Sequence, residues 1–179
     1  MNINQYSNGQ SPKCAHALRV LNDIKELLEN TDVPIGDKSG MTSKVREALL
    51  PSLLTMGWKS KFPIDKSVTY DDYASFFVDM YLDEPEFECE HSHRYLLQFM
   101  FDNRQAIGTN LIKFDVAAYN ATKHNRLTTS IALCAEKNEI KRLGWDGSAA
   151  SAQEYLDAIT GPYRSLIKNP PYIFSIKNF

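Results

Sequence analysis

The run YLLQFMF, from Tyr95 to Phe101, decides the fold of this chain. Its residues are almost all apolar, and Gln98 is the one amide among them. A run of this length without polar alternation is typical of a strand that is covered on both faces. Strands of that kind lie at the centre of sheets on which helices pack from each side. The run therefore predicts an α/β fold with a central sheet flanked by helices.

Two acidic residues precede this strand at a spacing that suits a metal site. Glu86 to Glu90 alternates as a strand does, and His91 to Arg94 would form the hairpin turn that leads into the central strand. Glu88 and Glu90 then lie on one face of that strand. Paired carboxylates bind Mg²⁺, and in metal-dependent nucleases the metal activates water. A plain hairpin with a solvated acidic edge is the other interpretation.

The remaining elements follow from the spacing of apolar residues. Cys14 to Asn30 predicts a helix, and a second helix begins near Thr42 or Ser43 and stops near Gly57. The elements predicted after the central strand are a helix at Asn110–Asn120, a strand at Thr128–Ala135, a helix at Ser151–Ile159 and a strand at Tyr172–Ile176. In the first of these helices, the side chains predicted to be buried are Leu111, Ile112, Val116 and Tyr119.

Composition limits the class of protein. The chain has 179 residues, of which 43% are hydrophobic and 23% charged, as in an ordinary globular protein. We expect Met1 to Pro12, rich in Asn, Gln and Ser, to be a loose terminus and residues 13–179 to form a single domain. The net charge of −2 argues against a nonspecific polybasic nucleic-acid binder, although it is compatible with a locally basic cleft.

Cysteine usage and hydropathy indicate the compartment. Cys14, Cys89 and Cys134 are few, odd in number and scattered, which favours free thiols in a reducing environment. No apolar run approaches the roughly 18 residues that a membrane span needs, and the first residues carry no basic-then-apolar signal. We therefore expect a cytoplasmic protein without a membrane partner.

Four parts of the chain carry a family resemblance. They are Lys38–Lys44 with Leu53–Lys59, Leu97–Asn103, Asn110–Tyr119 and Thr129–Ala135. In that order they resemble a helix with its Gly-Trp-Lys turn, the catalytic strand, the following helix and the next strand of the BglII/BstYI-type type II restriction endonucleases, which belong to the PD-(D/E)XK superfamily. The resemblance spans roughly residues 38–143, about two-thirds of the chain.

This resemblance implies a restriction-endonuclease-like mixed central sheet flanked by helices, Mg²⁺ as cofactor, double-stranded DNA as substrate and a homodimer that cuts both strands. The metal-binding Glu of the family falls on Gln98, and the polar residue that orients water falls on Met100. The Asp of the family falls on Cys89, which is flanked by Glu88 and Glu90, and a hairpin one residue shorter gives its role to Glu90. The implied site has Glu90, Gln98, Met100 and Lys113 as catalytic residues and Glu88, Glu90 and Gln98 as metal ligands.

Gln98 and Met100 depart from the family, because an amide binds Mg²⁺ far less well than a carboxylate and Met cannot orient a water. Three accounts stay open: an inactivated Glu-to-Gln variant, catalytic groups that have migrated (for example to Lys113 or Glu88), or a degenerate member that binds without cutting. The first functional hypothesis is Mg²⁺-dependent hydrolysis of DNA phosphodiesters. The second is a non-catalytic DNA- or protein-binding module on the same fold.

Basic and polar residues on both sides of the central strand are candidates for DNA contacts. The candidates before the sheet are Lys38, Ser39, Lys44, Arg46, Lys59 and Lys61, and those after the central strand are Arg104 and Gln105. The first group could equally be a solvated basic face. The second group could instead belong to a helix entry held by hydrogen bonds.

Histidines and a cysteine near the predicted turn raise the question of zinc. Cys89, His91 and His93 alternate and could bind it, but no fourth ligand is evident, and a polar turn beside a buried thiol is the other interpretation. We expect His16 and His124 to be ordinary surface residues.

Overall fold

A computed structural model describes residues 3–6, 15–32, 41–64, 77–84, 92–101, 103–124, 126–142 and 148–176. Its strands are β1 (Ile3–Tyr6), β2 (Lys59–Pro63), β3 (Phe77–Glu84), β4 (Ser92–Phe99), β5 (Arg126–Ala135) and β6 (Tyr172–Ile176). Its helices are α1 (Ala15–Asn30), α2 (Met41–Thr55), α3 (Ile107–Thr122), α4 (Lys137–Arg142) and α5 (Ala152–Thr160), with a 3₁₀ turn at Arg104–Ala106.

The described strands form one mixed sheet in the order β1-β6-β5-β4-β3-β2. β4, β5 and β6 are parallel neighbours, and α3 makes the crossover that a parallel β4–β5 pair requires. β3 and β2 extend the sheet antiparallel at one edge, and β1 closes the other edge antiparallel to β6. The mixed sheet that the central strand predicted is confirmed.

Helices cover the sheet on both faces. Alternate β4 residues Tyr95, Leu97 and Phe99 join the apolar face of α1 and α2 in one hydrophobic cluster. The intervening residues Leu96 and Met100 join α3 and α5 in the other. Every residue from Tyr95 to Met100 is buried, as the unbroken apolar run predicted.

Two helix ends, the end of α2 and the start of α5, have the features that the sequence predicted for them. α2 is followed by Gly57 at φ 88°, a conformation that glycine adopts without the Cβ clash of other residues. α5 begins with a capping box, in which the Ser151 hydroxyl accepts from the Glu154 N–H and the Glu154 carboxylate accepts from the Ser151 N–H. The strand at Tyr172–Ile176 is also where the sequence placed it.

The strand that pairs with β4 is not the one predicted. β3 pairs with β4 from Met80 opposite Leu97 to Glu84 opposite His93, whereas Glu86 to Glu90 lie outside the described residues. The predicted turn at His91 to Arg94 is also wrong from Ser92 onward, because these residues belong to β4. The physical reason is burial: Val78 and Met80 fill both apolar clusters, which an acidic segment could not do.

The buried face of α3 also differs from the prediction. The helix is confirmed and Leu111 is buried, but Ile112, Val116 and Tyr119 are 49%, 36% and 63% exposed. The face toward the sheet consists of Asn110, Leu111, Phe114, Ala117, Ala118 and Ala121. Three of these six residues are alanines, and Ile112, Val116 and Tyr119 lie on the outer side.

Two predictions near the N-terminus need correction. Ile3–Tyr6 lies in the segment expected to be loose, yet it pairs with β6. His16, expected on the surface, is 5% exposed on the buried face of α1. The prediction of a single domain from residue 13 onward stays a prediction. Among the described helices, none is both long enough and apolar enough to cross a bilayer.

Candidate functional site

Gln98 lies inside the sheet near the end of β4. It is 6% exposed, and its neighbour on β5 is Ala132. Its amide Oε1 accepts a hydrogen bond from the backbone N–H of Asp79 on β3 at 3.2 Å. The residue expected at the metal-ligand position therefore does have an acidic neighbour, and that neighbour is Asp79 where the sequence predicted Glu90.

At Asp79, hydrogen bonds between backbone N–H groups and side-chain oxygens take the place of the regular backbone ladder between β3 and β4. Its carboxylate Oδ2 accepts the backbone N–H of Phe99 at 3.0 Å, and its Oδ1 lies 3.8 Å from Nη1 of Arg46 on α2. The paired register of the two strands starts only at Met80 and Leu97. Asp79, Gln98 and Arg46 therefore form one cluster where β3 begins and β4 ends.

β2 is distorted beside this cluster. Lys61 lies between the paired positions Ser60–Met80 and Phe62–Val78, which places it across from Asp79. It has φ 57°, the left-handed conformation that non-glycine residues adopt at a cost of roughly 1–2 kcal/mol. Its side chain is exposed. Such backbone strain concentrates at functional positions.

Met100 lies in an apolar environment that does not suit the catalytic role implied for it. Met100 is fully buried in the cluster formed with Leu111 and Phe114, and its backbone N–H donates to Leu133 O at 2.8 Å. A thioether in an apolar cluster cannot orient a water for attack. Lys113 is half-buried on α3, and its role beside Gln98 stays a prediction.

Four of the predicted site residues lie outside the described residues. These are Lys38, Ser39, Glu88 and Glu90. Lys44, also predicted to contact DNA, lies half-buried on α2, two residues before Arg46. Arg46, one of the predicted basic residues on α2, is thus part of the Asp79 cluster.

Arg104 holds the chain between β4 and α3 in place. Its Nε donates to the Glu154 carboxylate, the same carboxylate that caps α5. Its backbone N–H donates to Ser148 O at 2.8 Å. These bonds favour the helix-entry alternative for Arg104, whereas the exposed Gln105 side chain keeps the DNA-contact interpretation open.

His93 is part of the core and not of a turn. It is 2% exposed, its Nε2 lies 2.9 Å from Thr129 Oγ1, and its ring stacks on Tyr95 at 4.4 Å between centroids. Cys89 and His91, its predicted partners in a zinc site, lie outside the described residues. Within the described part of the chain, no three His, Cys, Asp or Glu side chains are grouped as a metal site needs.

The described donors do not fit a magnesium centre of the kind that the resemblance implies. The cluster offers one carboxylate, Asp79, whose two oxygens face the Phe99 N–H and the Arg46 guanidinium. The oxygen of Gln98 is neutral and already accepts a hydrogen bond. Mg²⁺ prefers charged oxygen ligands in near-octahedral geometry, so these two groups by themselves would hold it weakly.

The architecture of the sheet and helices defines a class of fold. It is the restriction-endonuclease-like fold, a mixed sheet flanked by helices. One solved structure that shares it is the restriction endonuclease BglII in complex with a DNA 16-mer, with a TM-score of 0.65 and 13% identity, over 100% of this chain and 79% of that chain. This likeness shows the fold alone. No protein-family model and no curated protein matches the chain.

Sequence reasoning missed Asp79 and the role of Arg46. The signal for Asp79 was present, since it is the single acid among the apolar and aromatic residues from Phe77 to Leu82. The cluster of glutamates at 86–90 gave a stronger acidic signal and drew the assignment there. Arg46 was among the predicted basic residues, but nothing in the sequence indicated that it faces a carboxylate.

Proposed function

We propose that this chain is a double-stranded-DNA-binding protein on the restriction-endonuclease-like fold, with a hydrolytic centre that has lost its donor set for Mg²⁺. The observation that carries the proposal is the chemistry of two residues, one near the end of β4 and one just after it. Gln98 offers a neutral oxygen where the resembling family has a carboxylate, and Met100 is buried in an apolar cluster. Of the three accounts left open by the sequence, this supports the member that binds without cutting.

The experiment measures binding and cleavage separately. We expect the purified protein to bind duplex DNA with an affinity that falls as salt rises, because phosphate contacts release counterions. We expect it to leave plasmid DNA of mixed sequence intact with Mg²⁺ or Mn²⁺. Efficient cleavage would overturn the loss of the hydrolytic centre, and absence of duplex binding at low salt would overturn the DNA-binding function.

A second candidate is an active Mg²⁺-dependent endonuclease whose other ligands come from Glu88 or Glu90. Asp79 favours it, because a carboxylate at the start of β3 and a strained lysine beside it are features of a working site. Cleavage by the parent that is lost in Asp79→Asn would support this candidate over the first.

We further propose that the protein acts as a homodimer and, as the cysteine pattern suggested, in the cytoplasm. The outer side of α3 exposes Ile112, Val116 and Tyr119 at helical spacing, beside the exposed Leu166. These residues line an open groove of about 420 Å³ between α3 and residues 163–169. An exposed apolar stripe of this kind is typical of a protein–protein interface, and a second copy would bring a second cluster to the opposite DNA strand.

A further inference from the structure

A basic and aromatic patch lies on β2, β3, β4 and β5, beyond the Asp79 cluster. We define the Arg94 patch as Lys59, Phe62, Tyr81, Asp83, Arg94 and Arg126. The sheet register assembles it: Lys59 is opposite Tyr81, and Asp83 is opposite Arg94. Arg126 begins β5 beside Ser92, near the start of β4.

Arg94 is held rigidly at the centre of this patch. Its Nε and Nη2 donate to the two oxygens of Asp83 at 2.6 and 2.8 Å, a bidentate pair. Its guanidinium carbon also lies 4.3 Å from the ring centroid of Phe62. A guanidinium fixed in this way loses little further side-chain freedom when it meets an anion.

The patch carries more positive charge than its own carboxylate can balance. Arg126 Nη1 lies 3.4 Å from Asp83 Oδ2, and Lys59 Nζ lies 5.9 Å from the Tyr81 ring centroid. Three cations thus surround Asp83, although the whole chain has a net charge of −2. Burial alone would raise the pKa of Asp83, but the hydrogen bonds and charge of Arg94 with the charges of Arg126 and Lys59 lower it.

The two outer cations are accessible to a partner. Lys59 is exposed, and the Arg126 side chain is 35% exposed, compared with 14% for Arg94. β3 and β4 are already joined by their backbone ladder and by the Arg94–Asp83 pair. The additional, accessible charges therefore suit an external anion.

We propose that the Arg94 patch binds the phosphate backbone of DNA. The inference rests on the proposed DNA-binding function and adds a second, sequence-independent contact to it. Asp83 lies four residues along β3 from Asp79, or roughly 13 Å at the rise of a strand. The two sites are thus closer together than one helical turn of DNA, which spans about 34 Å.

Phosphate is a better match than an acidic peptide. Guanidinium groups bind phosphate oxygens through paired N–H donors, and a DNA backbone presents such groups at regular intervals. In the patch, the Arg126 guanidinium and the Lys59 ammonium are the accessible cations, beside Arg94, whose Nε and Nη2 already bind Asp83. We expect these contacts to add affinity without reading bases.

The test compares the salt dependence of duplex binding in two double variants. Lys59→Ala/Arg126→Ala removes the accessible cations and leaves the Arg94–Asp83 pair intact. Lys141→Ala/Arg164→Ala is the matched control, since both residues are exposed and lie outside the patch. Fluorescence anisotropy with a duplex of about 20 base pairs, between about 50 and 200 mM salt, gives the slope of log affinity against log salt.

We expect the patch variant to lose about 2 units of that slope, roughly 0.9 per phosphate contact, and the control to keep the slope of the parent. Equal slopes in the two double variants would overturn the patch while leaving the DNA-binding function intact. If the parent does not bind duplex DNA, both proposals fall. Competition by an acidic peptide that matches competition by DNA would also overturn the assignment, in favour of a protein partner.

Discussion

At the residue scale, Gln98 differs from a metal-binding glutamate only in having an amide NH₂ group in place of a carboxylate oxygen. Its Oε1 already accepts the Asp79 N–H, and glutamate at this position can keep that bond with one oxygen. The second oxygen would then be a charged metal ligand beside the Asp79 carboxylate. Arg46, 3.8 Å from Asp79, would offset part of the repulsion between the two acids.

We predict that Gln98→Glu raises Mg²⁺-dependent cleavage of plasmid DNA above that of the parent. Two adjacent carboxylates are a donor set that a hard divalent cation binds, and charge stabilisation by the metal lowers the barrier by several kcal/mol. The measurement is plasmid nicking and linearisation with and without Mg²⁺. Full recovery also requires another group, such as Lys113, to do what Met100 cannot.

Gln153→Glu is the matched control for this variant, because it makes the same change at an exposed position on α5. It should leave cleavage at the level of the parent. If folded Gln98→Glu binds DNA and still does not cut, with Mn²⁺ also tried, the idea that one lost carboxylate explains the inactivity is wrong.

At the element scale, the start of α5 links two parts of the structure through one carboxylate. Glu154 accepts from the backbone N–H and hydroxyl of Ser151 and from Arg104 of the 3₁₀ turn. We predict that Ser151→Ala lowers the free energy of unfolding by about 1 kcal/mol, because the helix loses its N-cap. Urea denaturation measures it, with the exposed Ser165→Ala as control. Equal midpoints for the two variants would contradict the prediction.

The sequence predicted elements better than it predicted their partners. Helical spacing and caps located α1, α2, α3 and α5, and the unbroken run around Gln98 located the central strand. The face of α3 could not be predicted, because Ile112, Val116 and Tyr119 make as good a stripe as Leu111, Phe114 and Ala118. Which stripe is buried depends on how closely the helix approaches the sheet, and that is a tertiary property.

The candidate site was predicted only in part, for a similar reason. Gln98 was located because it interrupts an apolar strand. Its acidic partner was assigned by counting along an assumed hairpin, and the count led to Glu90. β3 pairs with β4 over five positions, from Met80 opposite Leu97 to Glu84 opposite His93, and the backbone N–H of Asp79 bonds to the Gln98 side chain, so the acid beside Gln98 is Asp79. Counting cannot find a partner when the length of the connection is unknown.

At the scale of the whole molecule, two carboxylates couple stability to pH. The pKa of Asp83 is lowered by Arg94 and its basic neighbours against the effect of burial, which raises it. The pKa of Glu154 is lowered by Ser151 and Arg104 against the same effect. A lowered folded-state pKa contributes stability that is present above the unfolded value, about 4, and is lost as pH falls through the folded value.

We therefore predict that the free energy of unfolding falls as the pH is lowered from about 5 toward 2. Asp83→Asn should make the decline shallower, because it removes one of the two groups. The exposed Asp23→Asn on α1 is the control and should follow the parent. Urea titrations at a series of pH values give the comparison. A decline in Asp83→Asn as steep as in the parent would remove Asp83 as a cause.

The proposed dimer is tested at the same scale with a matched pair of variants. Ile112 on α3 and Leu18 on α1 are each 49% exposed, so Ile112→Glu and Leu18→Glu place the same charge at equally accessible positions. We predict that the parent and Leu18→Glu sediment as dimers and that Ile112→Glu sediments as a monomer of about 20.4 kDa. A monomeric parent, or dissociation by Leu18→Glu alone, would rule out the α3 interface.

The pairing of β1 with β6 has a consequence for local opening. β1 has four residues and one neighbouring strand among those described, whereas β4 and β5 are each paired on both sides. β1 lies at the edge of the sheet, so its pairing with β6, from Ile3 opposite Ile176 to Tyr6 opposite Ile173, can open while the other strands stay paired. In hydrogen–deuterium exchange, the amides of Ile3–Tyr6 should take up deuterium through fraying of the sheet edge. Those of Leu96 and Ile131 should remain protected until the whole domain unfolds.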